Sequence, residues 1–331
     1  MDAKMTEIVK AIRFETTGGP DVMKWVDVEV PAPAAGEVLI RHEAVGLNYI
    51  DVYFRTGMYP QTMPGSLGME GAGVVEAIGE GVTLVAVGDR VAYANRPIGA
   101  YSQKRVVPEA ILVKLPDEIS FEQGAAMMLQ GLTVQYLVTD SYAVKPGDQV
   151  LLHAAAGGVG LIAVQWLKAL GARVIGTVGS AEKAAIAKAH GCDETILYNE
   201  EDFVARTREL TGGKGVNVVY DSIGKDTFDG SLDCLAPRGT MVTYGNATGP
   251  VAPLEIASLA AKGSLKVTRP TLFSYVTDRA LLETMSADLF SRVIKGEVKI
   301  EVNQRYALAD VAQAHADLES RKTTGSTVLI P

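Results

Sequence analysis

Between residues 148 and 178 the apolar and polar positions alternate in a strand–turn–helix–strand pattern. Val150–Leu152 form a short apolar run, which is typical of a buried strand. Small residues follow, and apolar residues then recur at helical spacing from Val159 to Leu170. Gly171 predicts the end of the helix, and Arg173–Val178 reads as the next strand. The pattern predicts a βαβ unit with a glycine-rich first turn.

Two further patterns flank this unit. Residues 1 to about 125 carry short apolar runs between glycine and proline turns, which predicts many short strands and a small barrel. Ser120 with Gln123 three residues later predicts the start of a helix. Strands then alternate with helices up to about residue 268, as in a doubly wound parallel sheet. A mixed pattern follows, with a strand predicted over 298–305.

Composition excludes several classes of protein. A chain of 331 residues predicts two domains. A net charge of -8 without a basic run argues against nucleic acid or an anionic membrane as the main partner. Cys192 and Cys234 are the only cysteines, so we expect no disulfide framework and a reducing, cytoplasmic compartment. The N-terminus lacks the order of a signal peptide, and His153 and glycines interrupt the most apolar stretch, so no transmembrane span is expected.

The turn of the βαβ unit indicates dinucleotide binding. Aligned on G-x-G-x-x-G, its first glycine is replaced by Ala155, and Gly157 and Gly160 follow. Small residues let backbone N–H groups approach a pyrophosphate, and the helix N-terminus adds donors and partial positive charge. The alternative is a tight βα turn that binds nothing.

The tip of the second strand of the unit favours NADP(H) over NAD(H). NAD-preferring sites place a carboxylate there, whereas this chain has Gly179 and Ser180, with Lys183 one turn into the next helix. A 2′-phosphate needs donors and positive charge. The alternative is that Ser180 is only a helix cap and Lys183 a solvated surface residue.

Several stretches together carry a family resemblance. They are GLNYIDVYFRTGMYP (46–60), GMEGAGVVEAIGEGV (68–82), GDRVAY (88–93), HAAAGGVGLIAVQWLKALGA (153–172), VVYDSIG (218–224), LDCLAPRGTMVTYGNATG (232–249) and LESRKTTGSTVLIP (318–331). The chain resembles the medium-chain dehydrogenase/reductase superfamily and, within it, the zinc-independent NADPH:quinone oxidoreductases related to zeta-crystallin.

The resemblance implies a fold in which a Rossmann domain is inserted into a GroES-like barrel. The expected boundaries are a first part of the GroES-like catalytic domain over 1–129, a Rossmann NADP-binding domain over 130–268, and a return to the catalytic domain over 269–331. The resemblance also implies an active cleft between the domains. Members are commonly dimers or tetramers, so we expect a homodimer and leave a tetramer open.

The resemblance also implies site residues. At the reacting end it places Asn48, near the nicotinamide, with Tyr53 and Tyr59 lining the substrate cleft and Arg269 nearby. At the cofactor it places the pyrophosphate residues Gly157, Gly158, Val159 and Gly160, the 2′-phosphate residues Ser180, Lys183, Tyr198 and Arg321, and the flanking residues Thr133, Ser222, Tyr244, Gly245 and Asn246. The chain departs from many members at Gly325-Ser326, where they carry Gly-Lys.

A catalytic zinc is not expected. Zinc-dependent relatives use a cysteine where this chain has Asn48 and a histidine where it has Met69, and no four-cysteine lobe is present. The four histidines are scattered, and structural or surface roles are expected for His42, His153, His190 and His315.

The predicted activity is metal-independent hydride transfer from NADPH to a quinone, with Asn48 and Tyr53 as donors to the developing oxyanion. Protonation by water is an alternative proton source. One rival is NADPH-dependent reduction of a 2-alkenal or enone double bond. A second is a mainly NADPH-binding, crystallin-like protein that contacts RNA, which the acidic net charge disfavours.

Overall fold

The computed structural model describes residues 6–331, so residues 1–5 of the segment used to exclude a signal peptide lie outside it. The chain divides into two compact units. Unit 1 comprises the chain up to Leu132, Val276–Ile294 and Ile300–Pro331, and unit 2 comprises Thr133–Tyr275 and Lys295–Lys299. Residues 130–132, which the sequence places in the Rossmann domain, therefore group with unit 1. Residues 269–275 and 295–299, which the sequence places in the catalytic domain, group with unit 2.

Fifteen strands are present in the described part of the chain: β1 (Glu7–Arg13), β2 (Lys24–Val30), β3 (Glu37–Leu47), β4 (Glu70–Ile78), β5 (Arg90–Ala94), β6 (Lys104–Pro108), β7 (Val113–Lys114), β8 (Gln149–Leu152), β9 (Arg173–Val178), β10 (Glu194–Leu197), β11 (Val216–Asp221), β12 (Leu235–Thr243), β13 (Lys266–Thr268), β14 (Val302–Ala307) and β15 (Ser326–Ile330). Ten α-helices accompany them: α1 (Tyr49–Thr56), α2 (Phe121–Tyr136), α3 (Gly158–Ala169), α4 (Ala181–Ala189), α5 (Phe203–Leu210), α6 (Phe228–Cys234), α7 (Ile256–Ala261), α8 (Phe273–Val276), α9 (Arg279–Ile294) and α10 (Val311–Glu319). No helix of residues 6–331 is both long and apolar enough to cross a bilayer.

Unit 1 is built on a mostly antiparallel sheet. Its strands run in the order β14, β15, β3, β4, β5, β7, and β6 also pairs with β3. The long strand β3 is the centre, because it pairs with β4, β6 and β15. The C-terminal strand β15 therefore lies beside the end of β3, which brings Ser326 to the region where β3 leads into α1.

Unit 2 is a six-stranded parallel sheet with the order β10, β9, β8, β11, β12, β13. The order reverses between β8 and β11, and in open parallel sheets ligands bind at such a point, outside the carboxyl ends of the strands. One face of the sheet packs against α5 and α6 through a cluster that includes Leu151, Ile175 and Val219. The doubly wound sheet predicted from the sequence is confirmed.

The βαβ unit follows its predicted pattern. β8, α3 and β9 have the predicted order, and Gly171 adopts a left-handed φ of 81° immediately beyond the helix. Trp166 and Leu167 on the inner face of α3 are fully buried. Burial of such side chains stabilises the helix by about 1.5–3 kcal/mol each.

Two local predictions can be compared with the structure, and one helix was missed. The capping box at Ser120 is present, since Ser120 Oγ accepts from Gln123 N at 3.2 Å and Gln123 Oε1 accepts from Ser120 N at 3.0 Å. The strand predicted over 298–305 is wrong at its start, because β14 begins at Val302. Val298 and Ile300 are buried without belonging to a strand, so their apolar side chains mimicked one. Helix α1 was not predicted.

Candidate functional site

The loop between β8 and α3 could hold a pyrophosphate. Gly157 is the N-cap of α3 and provides no side chain to cap the first N–H groups. A Cβ at position 160 would overlap the carbonyl oxygen of Ala154 and lie 2.8 Å from the carbonyl carbon of Ala155. Glycine at 160 therefore lets the first turn of α3 lie directly on the preceding loop. The arrangement leaves backbone donors at the helix N-terminus, next to the ends of the central strands.

Three of the residues predicted for the 2′-phosphate, Ser180, Lys183 and Tyr198, lie near the end of β9. Ser180 caps α4, its Oγ accepting from Lys183 N at 3.3 Å. Tyr198 follows β10 and lies against Gly179, because a Cβ there would be 2.7 Å from the Tyr198 hydroxyl. Arg321 belongs to unit 1, where it follows α10. Ser180 therefore does cap α4. Because its Oγ acts as the acceptor in this bond, the hydroxyl can still donate its own hydrogen.

The loops after β11 and β12 are tied to each other. Tyr244 N donates to Asp221 O at 2.8 Å, and Ala247 N donates to Ser222 O at 3.3 Å. Arg269 supports the second loop by donating to Gly245 O at 3.0 Å. These bonds hold the predicted residues Ser222, Tyr244, Gly245 and Asn246 together. The geometry gives Arg269 a bracing role that its position in the sequence did not specify.

Asn48 lies at the other predicted site, in unit 1, and it is 6% exposed. It is the N-cap of α1, at the end of β3. Its Nδ2 donates to Glu70 Oε2 at 2.6 Å, and its Oδ1 accepts from Gln130 Nε2 at 3.2 Å. The amide is therefore held at both ends by side chains from β4 and α2.

Glu70 was not identified as a functional residue from the sequence. It is fully buried, with its second oxygen, Oε1, accepting from Leu129 N at 2.7 Å. Burial raises the pKa of Glu70 to about 8, and its hydrogen bonds with Asn48 and Leu129 act against the rise. A glutamate among small and apolar residues, in Gly68-Met69-Glu70-Gly71 at the start of β4, was the available signal, since a glutamate is rarely fully buried unless it is paired.

A second buried carboxylate, Asp51, lies one turn further into α1. It accepts from Asn48 N at 2.9 Å, Tyr101 Oη at 3.0 Å and Gly68 N at 3.2 Å. The hydroxyl of Tyr101 lies 3.1 Å from His315 Nε2. Burial raises the pKa of Asp51 to about 7 despite these hydrogen bonds.

The hydrogen bonds continue from His315 to the surface of unit 1. His315 Nδ1 lies 3.3 Å from Arg55 Nη1, and Arg55 Nη2 donates to Glu319 at 2.7 Å. Burial lowers the pKa of His315 to about 3, with the Arg55 charge adding to the effect, so the imidazole is neutral. His315 therefore accepts from Arg55 and donates to Tyr101, which orients the Tyr101 hydroxyl toward Asp51.

Tyr53 and Tyr59 lie together at the C-terminal half of α1. Their ring centroids are 5.2 Å apart in an edge-on arrangement, and Tyr59 N donates to Tyr53 O at 3.0 Å. Phe54 packs edge-on against Tyr59 at 5.5 Å. The structure brings these two predicted tyrosines into one aromatic cluster, with Tyr53 on the helix that Asn48 caps and Tyr59 just beyond its end.

The remaining predicted residues are buried or hydrogen-bonded within the fold. Thr133 opens unit 2 within α2 and is buried. Met69, which the family resemblance aligns with a zinc-ligand histidine, is buried. His42 bonds Ser102 O and Tyr93 Oη, and His153 bonds Thr177 and Ser231. Within residues 6–331, no three His, Cys, Asp or Glu side chains are grouped so as to hold a metal ion.

Known proteins share this fold and sequence. Residues 34–117 match the alcohol dehydrogenase GroES-like domain, and residues 158–286 match the zinc-binding dehydrogenase family. A quinone oxidoreductase of Pseudomonas aeruginosa is 54% identical over 98% of this chain and 100% of that protein. A 2-haloacrylate reductase of a Burkholderia species is 45% identical over 98% of this chain and 99% of that protein. The structure of an Escherichia coli quinone oxidoreductase complexed with NADPH has a TM-score of 0.96 and 49% identity, covering 97% of this chain and 100% of that one.

Proposed function

Because this chain belongs to the quinone oxidoreductases of the zinc-binding dehydrogenase family, we propose that it reduces a quinone with NADPH. The observation that carries the proposal is the held amide of Asn48, which unit 1 fixes between Glu70 and Gln130. A fixed amide donor is what the reduction of a carbonyl-type acceptor needs, because negative charge develops on the acceptor oxygen.

Unit 2 supplies the binding site for NADPH in this proposal. Gly157, Gly158, Val159 and Gly160 receive the pyrophosphate, while Ser180, Lys183 and Tyr198 receive the 2′-phosphate, with Arg321 assigned to the same group. Support comes from the uncapped N-terminus of α3 and from the tip of β9, which carries Gly179 and Ser180 instead of a carboxylate. Thr133, Ser222, Tyr244, Gly245 and Asn246 flank the rest of the cofactor.

Unit 1 supplies the groups that act on the substrate. NADPH, when bound, supplies a hydride. Asn48 Nδ2 carries two hydrogens. One is donated to Glu70, and we assign the other to the oxygen of the acceptor. Tyr53 is the second donor, because a phenol keeps its proton at neutral pH, and Tyr59 lines the substrate site. Pre-oriented donors of this kind typically contribute about 10²–10³ in rate.

We propose that the reaction needs no zinc. A catalytic zinc requires three good protein ligands, and the two ligand positions read from the sequence hold an amide, Asn48, and a thioether, Met69. The neutral Asn48 amide takes the place of the Lewis acid as the partner of the acceptor oxygen. Met69 is 1% exposed and belongs to the buried core.

A second candidate is reduction of an activated carbon–carbon double bond. The 45% identity to a 2-haloacrylate reductase over nearly the whole chain favours it. Such a substrate carries a carboxylate or carbonyl beside the double bond, so it would use the same Asn48 donor. It would additionally need a proton at the α-carbon.

The first test compares both substrate classes on protein treated with a chelator and checked for metal content. We expect oxidation of NADPH with a small ortho- or para-quinone, and turnover lower by about 10² in Asn48→Ala. Turnover with a 2-alkenal or 2-haloacrylate but not with the quinone would replace the first candidate by the second. Activity that returns only with added zinc would overturn the metal-free mechanism.

Lys183→Ala tests the choice of cofactor. The variant is expected to raise the KM for NADPH about tenfold, the effect of losing one charge-assisted bond to phosphate, and to leave the KM for NADH nearly unchanged. Lys188→Ala, an exposed lysine at the other end of α4, is the matched control. Equal changes for NADPH and NADH would contradict the assignment of Ser180 and Lys183 to the 2′-phosphate.

We further propose a cytoplasmic homodimer. Both cysteines, Cys192 and Cys234, are buried free thiols, as expected in a reducing compartment. The proposal of a dimer is based only on the oligomeric state that is common in the family. Light scattering, which measures the molar mass in solution, tests it.

A further inference from the structure

Four buried side chains form a continuous line of hydrogen bonds through Asn48. Ser326 Oγ donates to Gln130 Oε1 at 2.8 Å, Gln130 Nε2 donates to Asn48 Oδ1, and Asn48 Nδ2 donates to Glu70 Oε2. Their exposed fractions are between 0% and 7%. Each comes from a different place in unit 1: the start of β15, the middle of α2, the cap of α1 and the start of β4. We name this line, Ser326–Gln130–Asn48–Glu70, the amide chain.

Every donor in the amide chain points toward Glu70. A hydroxyl and a carboxamide can each reverse, but an ionised carboxylate can only accept. Glu70 Oε1 already accepts from Leu129 N, so a proton on Glu70 would sit on Oε2, the oxygen that faces Asn48. Asn48 Nδ2 and a protonated Oε2 would then both be donors, and the Asn48 amide has to turn over.

We propose that Glu70 is a positioning residue. Acting through the amide chain, its protonation state determines which atom of the Asn48 amide faces the reacting oxygen of the substrate. The inference rests on the proposed role of Asn48. With Glu70 ionised, the observed polarity leaves the second Nδ2 hydrogen of Asn48 to the substrate. With Glu70 protonated, the polarity reverses and Nδ2 turns to Gln130.

Packing holds Glu70 in this position. A Cβ on Gly46 of β3 would overlap Glu70 Oε2 and the carbonyl oxygen of Ala125 on α2. The carboxylate is therefore closely packed where β3 and α2 approach each other, which restricts its rotation. Dense packing of this kind allows only discrete arrangements.

The groups facing Glu70 make both protonation states accessible near neutral pH. Asp51 of α1 raises the pKa of Glu70 by its charge, and Tyr93 of β5 and Tyr101 also interact with Glu70. The phenols have pKa values raised by burial and stay neutral in this range. Burial and Asp51 bring the pKa of Glu70 to about 8.

Glu70→Gln tests the inference, because it removes the ionisation and keeps a side chain that both donates and accepts. Its amide N–H faces Asn48 at every pH, so the variant is expected to hold the reversed polarity. We expect wild-type kcat to rise about tenfold between about pH 6.5 and pH 9, with the midpoint near the pKa of Glu70. The variant should match wild type at the acidic end and show no rise.

Two further variants separate this role from a general structural one. Glu76→Gln, on the same strand and paired with Arg41 and Lys104 at the surface, should keep the wild-type rise. In the Asn48→Ala background, Glu70→Gln should change kcat no further, because Glu70 acts through Asn48. A wild-type kcat without the rise, a rise that survives in Glu70→Gln, or additive effects in the double variant would each overturn the inference.

A second readout needs no turnover. In cofactor-free protein labelled with ¹⁵N, the side-chain amide signals of Asn48 and Gln130 should titrate with the same midpoint as kcat and should be pH-independent in Glu70→Gln. Signals that do not titrate in the wild type would refute the inference even if Asn48 is essential. Full quinone turnover in Asn48→Ala would instead refute the proposed role of Asn48, so the two failures are distinguishable.

Discussion

Gly160→Ala is expected to weaken NADPH binding about 10²-fold and to lower the free energy of unfolding by about 1–3 kcal/mol. The added methyl group would overlap the carbonyl oxygen of Ala154 and approach the backbone of Ala155. Neither neighbour is a flexible side-chain end, so α3 has to move away from the loop. That movement displaces the backbone donors that we assign to the pyrophosphate.

The measurement is titration of NADPH by fluorescence, paired with urea unfolding. Lys168→Ala is the matched control, because Lys168 lies on the outer face of the same helix, where it forms an ion pair with Asp193. Loss of this exposed ion pair should lower the free energy of unfolding by less than about 1 kcal/mol and leave NADPH binding unchanged. Wild-type affinity in Gly160→Ala would show that the first turn of α3 does not hold the pyrophosphate.

Local patterns predicted unit 2 well because its structure is locally determined. The spacing of apolar residues and the terminating Gly171 define β8, α3 and β9 without reference to distant parts of the chain. Ser180 and Lys183 could be identified from the tip of the second strand of the unit, whereas Tyr198 was grouped with them only through the family resemblance. The same reasoning failed at 298–305, where Val298 and Ile300 are buried in irregular structure.

The surroundings of Asn48 could not be read from local patterns. The amide chain joins residues up to 196 positions apart, between Gln130 and Ser326. Its formation depends on the pairing of β15 with β3 and on α2 lying beside both. Helix α1 was missed although Asn48 and Asp51 have capping-box spacing, since the helix has only eight residues.

The departure at Ser326 has a consequence in the structure. Ser326 was noted as standing where many relatives carry lysine, and its hydroxyl is the far end of the amide chain. A hydroxyl can reverse its polarity, whereas an ammonium group can only donate. In the proposed role of Glu70, the Ser326 hydroxyl thus lets the whole amide chain reverse when Glu70 takes up a proton.

Asp51→Ala is expected to lower the free energy of unfolding by about 3–6 kcal/mol, because it strands three buried donors. These are Asn48 N, Gly68 N and the Tyr101 hydroxyl, which converge on one carboxylate that is 1% exposed. Tyr101→Phe removes only one of these bonds and should cost about 1 kcal/mol. Urea unfolding at neutral pH measures the free energy of unfolding of both variants. Equal decreases in the two variants would contradict the conclusion that three donors depend on Asp51.

The pH dependence of the same site has a definite sign. Burial raises the pKa of Asp51 from 3.8 to about 7, so between these values the folded protein holds a proton that the unfolded chain releases. The contribution of Asp51 to stability therefore falls as pH rises from about 4 to about 7 and is constant above that. Asp51→Asn cannot titrate, so its free energy of unfolding relative to wild type should increase over this range. A difference independent of pH would mean that Asp51 is ionised throughout, held so by its three donors.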